Sequence, residues 1–265
     1  VWASATDVWV AGEGGLLLHR AAGGTWAYVE VGHPEDIGGI HASSANDIWF
    51  GHDSGLEHFD GTSLTTNPVP ITGLRFRSVF GRPGFGAYAV YCADCDSPNA
   101  ENVRSFVFEL VPGEVTEFNP TLALIMRSPF LSGVVTDAVD EEHRIFLFSH
   151  SRVQDREFSH RSYVFFGRTS TSYEQTLIDG AHRWAPVSDA PWPVPAWANA
   201  GTDIRVHAEI GISHRWDVDA NKFVRMPSSI DMGYDFVPRP LRAVHGNETD
   251  TWLVGDGFAL KGPTQ

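Results

Sequence analysis

Residues 40–61 read IHASSANDIWFGHDSGLEHFDG, and the chain writes this phrase twice more. Residues 1–24 carry Trp2, Asp7, Trp9, Gly12, Gly15 and His19 where the first quotation has His41, Asp47, Trp49, Gly51, Gly55 and His58. Residues 244–262 carry Asp250, Trp252, Gly255 and Gly257. Self-similarity at a period of about 40 residues is the mark of a propeller or solenoid array.

Each copy reads as a small antiparallel sheet. A short apolar strand is followed by a polar Ser/Asn/Thr/Asp turn, whose side chains bond nearby backbone groups. The next strand alternates, as in Asp7-Val8-Trp9-Val10-Ala11, and ends in glycines that permit a tight turn. A third strand (16–20; 56–59) and a fourth (26–31) complete the unit. Four short strands without a helical period make one blade, and the fold class expected is an all-β propeller.

Blades are expected at 1–32, 39–68, 76–118, 133–188, 195–227 and 241–262, in one domain spanning 1–265. The fourth blade takes 183–187 as its outer strand. The sixth stops after three strands, so the ring has about six blades, the last incomplete, or seven in a longer parent. The chain begins on a first strand with no initiator Met and no signal-like segment, which predicts a mature or excised piece of something longer.

At 42% hydrophobic and 12% aromatic, the 265 residues can bury a large core. There is no run of about 18 apolar residues, the length a membrane-spanning helix needs. The net charge of -14 repels phosphate backbones and argues against a nucleic-acid partner. Two lysines, Lys222 and Lys261, stand against seventeen arginines, a bias of GC-rich coding.

Cys92 and Cys95 form a single C-x-x-C. It lacks the second pair of a structural zinc site and the βαβ setting of a redox motif, leaving a local disulfide in an exported protein or two free thiols.

Asp7, Asp47, Asp203 and Asp250 recur just before the second strand, where a carboxylate accepts backbone N–H groups and fixes the turn. His19, His58 and His214 recur on the third strand and take the same structural reading. His41 and His245 occupy an inner-strand position filled by Trp2, Phe80 and Trp197 elsewhere, so flat bulk between blades is the role expected there.

Departures from the repeat point to function. The connection from second to third strand is tight in the first two blades but becomes 92–104 in the third and 149–161 in the fourth. Loops of that length in a compact domain tend to be functional or disordered. The expected ligand-binding residues are Asp94 and Glu101 on one connection and His150, Arg152, Arg156 and His160 on the other, the two rising as one wall. His150 and His160 are also weak candidates for sharing a metal.

No nucleophile elbow, phosphate loop or H-E-x-x-H motif is present, and no cofactor is implied. The leading expectation is a non-enzymatic binding or scaffold module for a protein or carbohydrate partner. Its rival is a propeller enzyme, a lyase or glycan-active protein, or a metal-binding protein with residues converging on the axis.

The repeat resembles those found in multiple copies in secreted and surface lipoproteins of myxobacteria and related GC-rich bacteria. They read roughly V-W-G-S-x-x-x-D-V-W-A-V-G-x-x-G-x-x-x-H-x-D-G-x-x-W, matched at 1–26, 40–64 and 244–262 and more faintly at 197–223. The chain is also distantly similar to sialidase-like and photosystem-assembly-factor propellers, but it lacks a full S-x-D-x-G-x-T-W box and an assignable arginine triad. The resemblance implies architecture and an extracellular, periplasmic or cell-surface setting in a bacterium. It implies no reaction.

Overall fold

The computed structural model describes residues 1–4, 6–82, 86–95, 97, 103–118, 130–139, 142–153, 157–166, 173–177, 196–198, 204–209, 212–217, 222–226, 241–246, 250–255 and 258–263. Beyond residue 129, side chains are described only at Gly133, Val135, Ile145, Leu147, Arg215, Asp217 and Val224. The chain divides into two compact units, 1–135 and 136–265.

Among the described residues there is no α-helix, only strands and one 3-10 turn at Glu13–Gly15. In the first unit, β1 (Trp2–Ala3), β2 (Asp7–Ala11), β3 (Leu17–Ala21) and β4 (Ala27–Tyr28) form one sheet, and β5 (Gly39–Ser44), β6 (Asp47–His52), β7 (Gly55–Phe59) and β8 (Leu64–Asn67) a second. The third contains β9 (Arg75–Arg82), β10 (Gly86–Ala93), β11 (Arg104–Val111) and β12 (Glu114–Glu117). A fourth sheet, whose first strand crosses the boundary between the units, runs β13 (Phe130–Val139), β14 (Glu142–Val153), β15 (Glu157–Phe166) and β16 (Tyr173–Leu177). In the second unit, β17 (Ala196–Ala198), β18 (Ile204–Glu209), β19 (Ile212–Asp217) and β20 (Lys222–Met226) form the next. Finally, β21 (Leu241–Gly246), β22 (Asp250–Gly255) and β23 (Phe258–Pro263) form a three-stranded sheet. In every sheet neighbouring strands are consecutive in the chain, which is the up-and-down order expected of the repeat.

The ladders put the repeated phrase in one register. Trp2 pairs with Trp9, His41 with Trp49 and His245 with Trp252. On the far side, Trp9 pairs with His19, Trp49 with His58 and Trp252 with Lys261. Asp7, Asp47 and Asp250 each open the second strand two residues ahead of these tryptophans.

Packing follows from the two-residue period of a strand, which sends alternate side chains to opposite faces. On β6, Ile48 and Phe50 join Trp2, Trp9, Leu17, Val31, Ile37 and Ala42 in one buried cluster. Trp49 faces the other way, into a second cluster with Leu56, Phe76, Val79, Tyr91 and Phe108. The second sheet is therefore covered on both faces, and burying each such large side chain contributes about 1.5–3 kcal/mol. Gly51 sits where the Phe76 ring packs close to the backbone, in the space that a Cβ would occupy. Its role is close approach, not the turn that the sequence suggests.

Three expectations are corrected. The fourth sheet takes Tyr173–Leu177 as its outer strand, an alternating β-favouring stretch; the segment 183–187 lies outside the described residues. The stretch 149–161 is not a long loop: pairing continues through Ser149–Arg161, His150–His160, Ser151–Ser159, Arg152–Phe158 and Val153–Glu157. It contains no Gly or Pro to interrupt the ladder. His214 is not the counterpart of His19, because Trp197 pairs with Arg205 and Arg205 with Arg215. His214 pairs instead with Val206, one residue out of that register.

Candidate functional site

On the third sheet, Ala93 pairs with Arg104 and closes the ladder before the predicted connection. Cys92 and Cys95 are joined by a disulfide, with Cα atoms 5.7 Å apart. Asp94, exposed between them, has φ +52°, a left-handed conformation uncommon for a residue with a side chain. Its carbonyl accepts the Ser97 N–H at 2.9 Å, and Arg77 Nε donates to Cys92 Sγ at 3.0 Å. Glu101, Arg156 and Asp203 lie outside the described residues. The backbone register pairs His150 with His160, and Arg152 sits two residues further toward the ribbon's tip.

Asp7 and Asp47 have side-chain partners rather than the backbone N–H groups expected; the side chain of Asp250 lies outside the described residues. Asp7 Oδ1 lies 2.8 Å from His19 Nε2 while Oδ2 accepts the Thr6 hydroxyl at 2.6 Å. Asp47 Oδ1 lies 2.8 Å from His58 Nε2, and its other oxygen accepts the Ser43 hydroxyl. Both carboxyls are held below their ordinary range, Asp7 by Thr6 and then His19, Asp47 by Ser43 and His58 acting against its burial. The backbone-accepting role falls to Asp60, which takes the N–H groups of Thr62 and Ser63 at 2.8 Å each.

A second, buried group was not legible from the repeat. The segment between β4 and β5 is pinned onto the β2–β3 turn: the Asp36 carboxylate accepts the Gly14 N–H at 2.7 Å, and the Ile37 N–H donates to the Gly12 carbonyl at 3.0 Å. Gly15, at φ +73°, lets this segment pass, since a Cβ there would lie 2.3 Å from the His33 carbonyl oxygen. Glu35 is thereby held against the β6–β7 turn. Its carboxylate accepts the Ser54 hydroxyl at 2.6 Å and the Ser54 N–H at 3.3 Å, and lies 2.9 Å from His52 Nδ1. From the third sheet, the Tyr91 hydroxyl lies 3.1 Å from the His52 carbonyl and 2.7 Å from that of Gly55, fixing the same turn.

His33 and His52 face one another with ring centroids 4.3 Å apart, and His33 Nε2 is 3.3 Å from Glu57 Oε1. One ligand atom from each of His33, His52 and Glu57 falls within 4.8 Å of the other two. His52 is 4% and Glu57 2% exposed, yet His52 Nε2 and Glu57 Oε2 are buried without a hydrogen-bond partner. Glu35 as acceptor places the His52 proton on Nδ1 and leaves a lone pair on Nε2. His33 Nδ1 accepts the Glu35 N–H at 3.2 Å, which directs its own proton through Nε2 toward Glu57. Burial pushes the Glu57 carboxyl up, against the opposing pull of the two imidazoles. The Glu35 carboxyl is drawn down by Ser54 and then by His52.

The register supplies the signal that the sequence alone hid. Counted from the paired tryptophans, His52 stands where the other two copies have Gly12 and Gly255, and Glu57 where they have Leu18 and Leu260. Two copies build the same sheet without these polar groups.

No protein-family model and no curated protein matches the chain. Among solved structures it is similar to the N-terminal domain of Nup159, at 10% identity and a TM-score of 0.54, over 98% of this chain and 73% of that one. It is also similar to the SapL1 lectin solved with alpha methyl fucoside, at 9% identity and 0.52, over 97% and 91%. A protein of unknown function from Bacteroides caccae matches at 14% identity and 0.52, over 94% and 82%. The chain shares the fold of β-propeller-type proteins.

Proposed function

We propose that the chain is a non-catalytic binding or scaffold propeller of an exported bacterial protein, engaging a glycan or a partner protein. The binding elements are the connection 92–104, with Asp94 and Glu101, and the β14–β15 ribbon, with His150, Arg152, Arg156 and His160. The observation that carries the reading is the staple between Cys92 and Cys95 at the root of the connection from the second to the third strand of the third sheet. The equivalent connections of the first two sheets are shorter and are held by hydrogen bonds from neighbouring segments rather than by a covalent link. Restraining a connection lowers the ordering cost of binding, and a disulfide suits an oxidising compartment. The fold it shares with a fucoside-binding lectin supports a carbohydrate as the first ligand class to test.

The test is a glycan array that includes α-fucosides, probed with the wild-type chain and with a variant whose residues 92–104 are cut to Gly-Asp-Gly-Gly. Binding by the wild type and its loss in a variant with an unchanged melting temperature supports the assignment. Equal binding by the folded variant removes the connection from the site.

A further inference from the structure

We propose that His33, His52 and Glu57 form a binding site for a divalent transition-metal ion, zinc being the probe of choice. Two imidazoles and a carboxylate are a donor set suited to zinc, which takes three protein ligands and leaves a fourth position open. A tetrahedral ion with bonds of about 2.0–2.1 Å holds its donors roughly 3.4 Å apart. The His33–Glu57 pair already stands at 3.3 Å, and the widest separation in the group is within 4.8 Å. Movement of the His52 side chain toward the other two by no more than about 1.4 Å completes the triangle.

Three independent features point to a ligand rather than to packing. His52 Nε2 and one carboxylate oxygen of Glu57 are polar atoms closed off from solvent without a hydrogen-bond partner, an unmet demand that a cation held between the two side chains answers. The Glu35 carboxylate on His52 Nδ1 is the outer-sphere arrangement that fixes the tautomer and orients a metal-binding imidazole. His52 and Glu57 replace a glycine and a leucine that serve the same sheet positions in the other copies, so the fold does not require them. His33 must give up its Nε2 proton to bind. Its Nδ1 then no longer accepts the Glu35 N–H, a local bond of 3.2 Å between residues two apart.

Zinc uptake by the whole chain is measured in competition with a chromophoric chelator, and cobalt substitution is followed by its visible absorption. The expected result is one zinc ion per chain and a tetrahedral cobalt spectrum. His52→Ala and Glu57→Gln abolish uptake, and Glu35→Gln weakens it about 10–100-fold. Because His33 is the most exposed ligand, His33→Ala keeps the test decisive if the buried substitutions fail to fold: affinity falls at least about tenfold. His19→Ala, at the separate Asp7 pair, leaves uptake unchanged. The proposal is overturned by a wild-type chain that takes up no stoichiometric zinc, by uptake that His33→Ala does not alter, or by uptake lost in a folded His19→Ala chain.

Discussion

His58 Nε2 lies 2.8 Å from Asp47 Oδ1 while its ring leans on Trp49 at 4.5 Å, one side chain tying the second strand of its sheet to the third. His19 repeats the arrangement against Asp7 at 2.8 Å and Trp9 at 4.1 Å. In the third copy the backbone register pairs Lys261 with Trp252. A polar pair recurring in this way belongs to the sheet rather than to a ligand.

Asp47→Ala and His58→Ala each cost about 1–2 kcal/mol, because removing either partner strands the other against the sheet. The double variant costs less than the two single losses combined. Urea unfolding of the four proteins measures the coupling; strict additivity would show that the pair does not act as a unit.

The carboxyls give stability a signed dependence on pH. Asp7 and Asp47 are depressed in the folded chain, so their contribution is fully present above the ordinary aspartate value of about 3.9 and is lost as pH falls through the folded values. Asp47→Asn therefore flattens the acid limb of the curve of unfolding midpoint against pH.

Glu57 runs the other way. Its folded value is raised, so the folded chain binds the extra proton and metal-free stability falls as pH climbs from the ordinary glutamate value of about 4.3 through the folded one. Glu57→Gln raises the metal-free melting temperature at neutral pH and leaves it little changed at pH 4. A neutral-pH melting temperature below that of wild type in metal-free buffer contradicts this.

Gly51→Ala places a methyl inside the Phe76 ring and destabilises by about 1–3 kcal/mol, the usual range for overpacking. Phe76→Leu in the same chain relieves part of the clash, so the pair is measured as a double-mutant cycle. A neutral Gly51→Ala would mean that the two sheets slide apart at no cost.

Replacing Cys92 and Cys95 by serine opens a short loop, for which the chain-entropy relation gives a loss of about 2 kcal/mol. Amide exchange accelerates at the Ala93–Arg104 end of the ladder and not at β9. Uniform acceleration across the third sheet would show that the staple supports the sheet and not the connection.

The sequence by itself determined the strand order. A phrase of alternating apolar residues and polar turns specifies local antiparallel pairing, and every such pairing here joins neighbours in the chain, so Asp7, Asp47 and Asp250 each mark the start of a second strand. It was less decisive at the ribbon 149–161, where polar residues read as loop continue the ladder because backbone pairing tolerates them. Only the tertiary structure decided the His33–His52–Glu57 group. His33 and Glu35 come from an irregular segment that obeys no period, and its path is fixed by hydrogen bonds to Gly12 and Gly14 of the preceding sheet. His52 and Glu57 lie across the β6–β7 hairpin, where their direction depends on register. A one-residue offset in aligning Gly12 with Gly51 hides that they replace Gly12 and Leu18. Side chains brought together by a crossing segment and a register leave no spacing in the sequence to read.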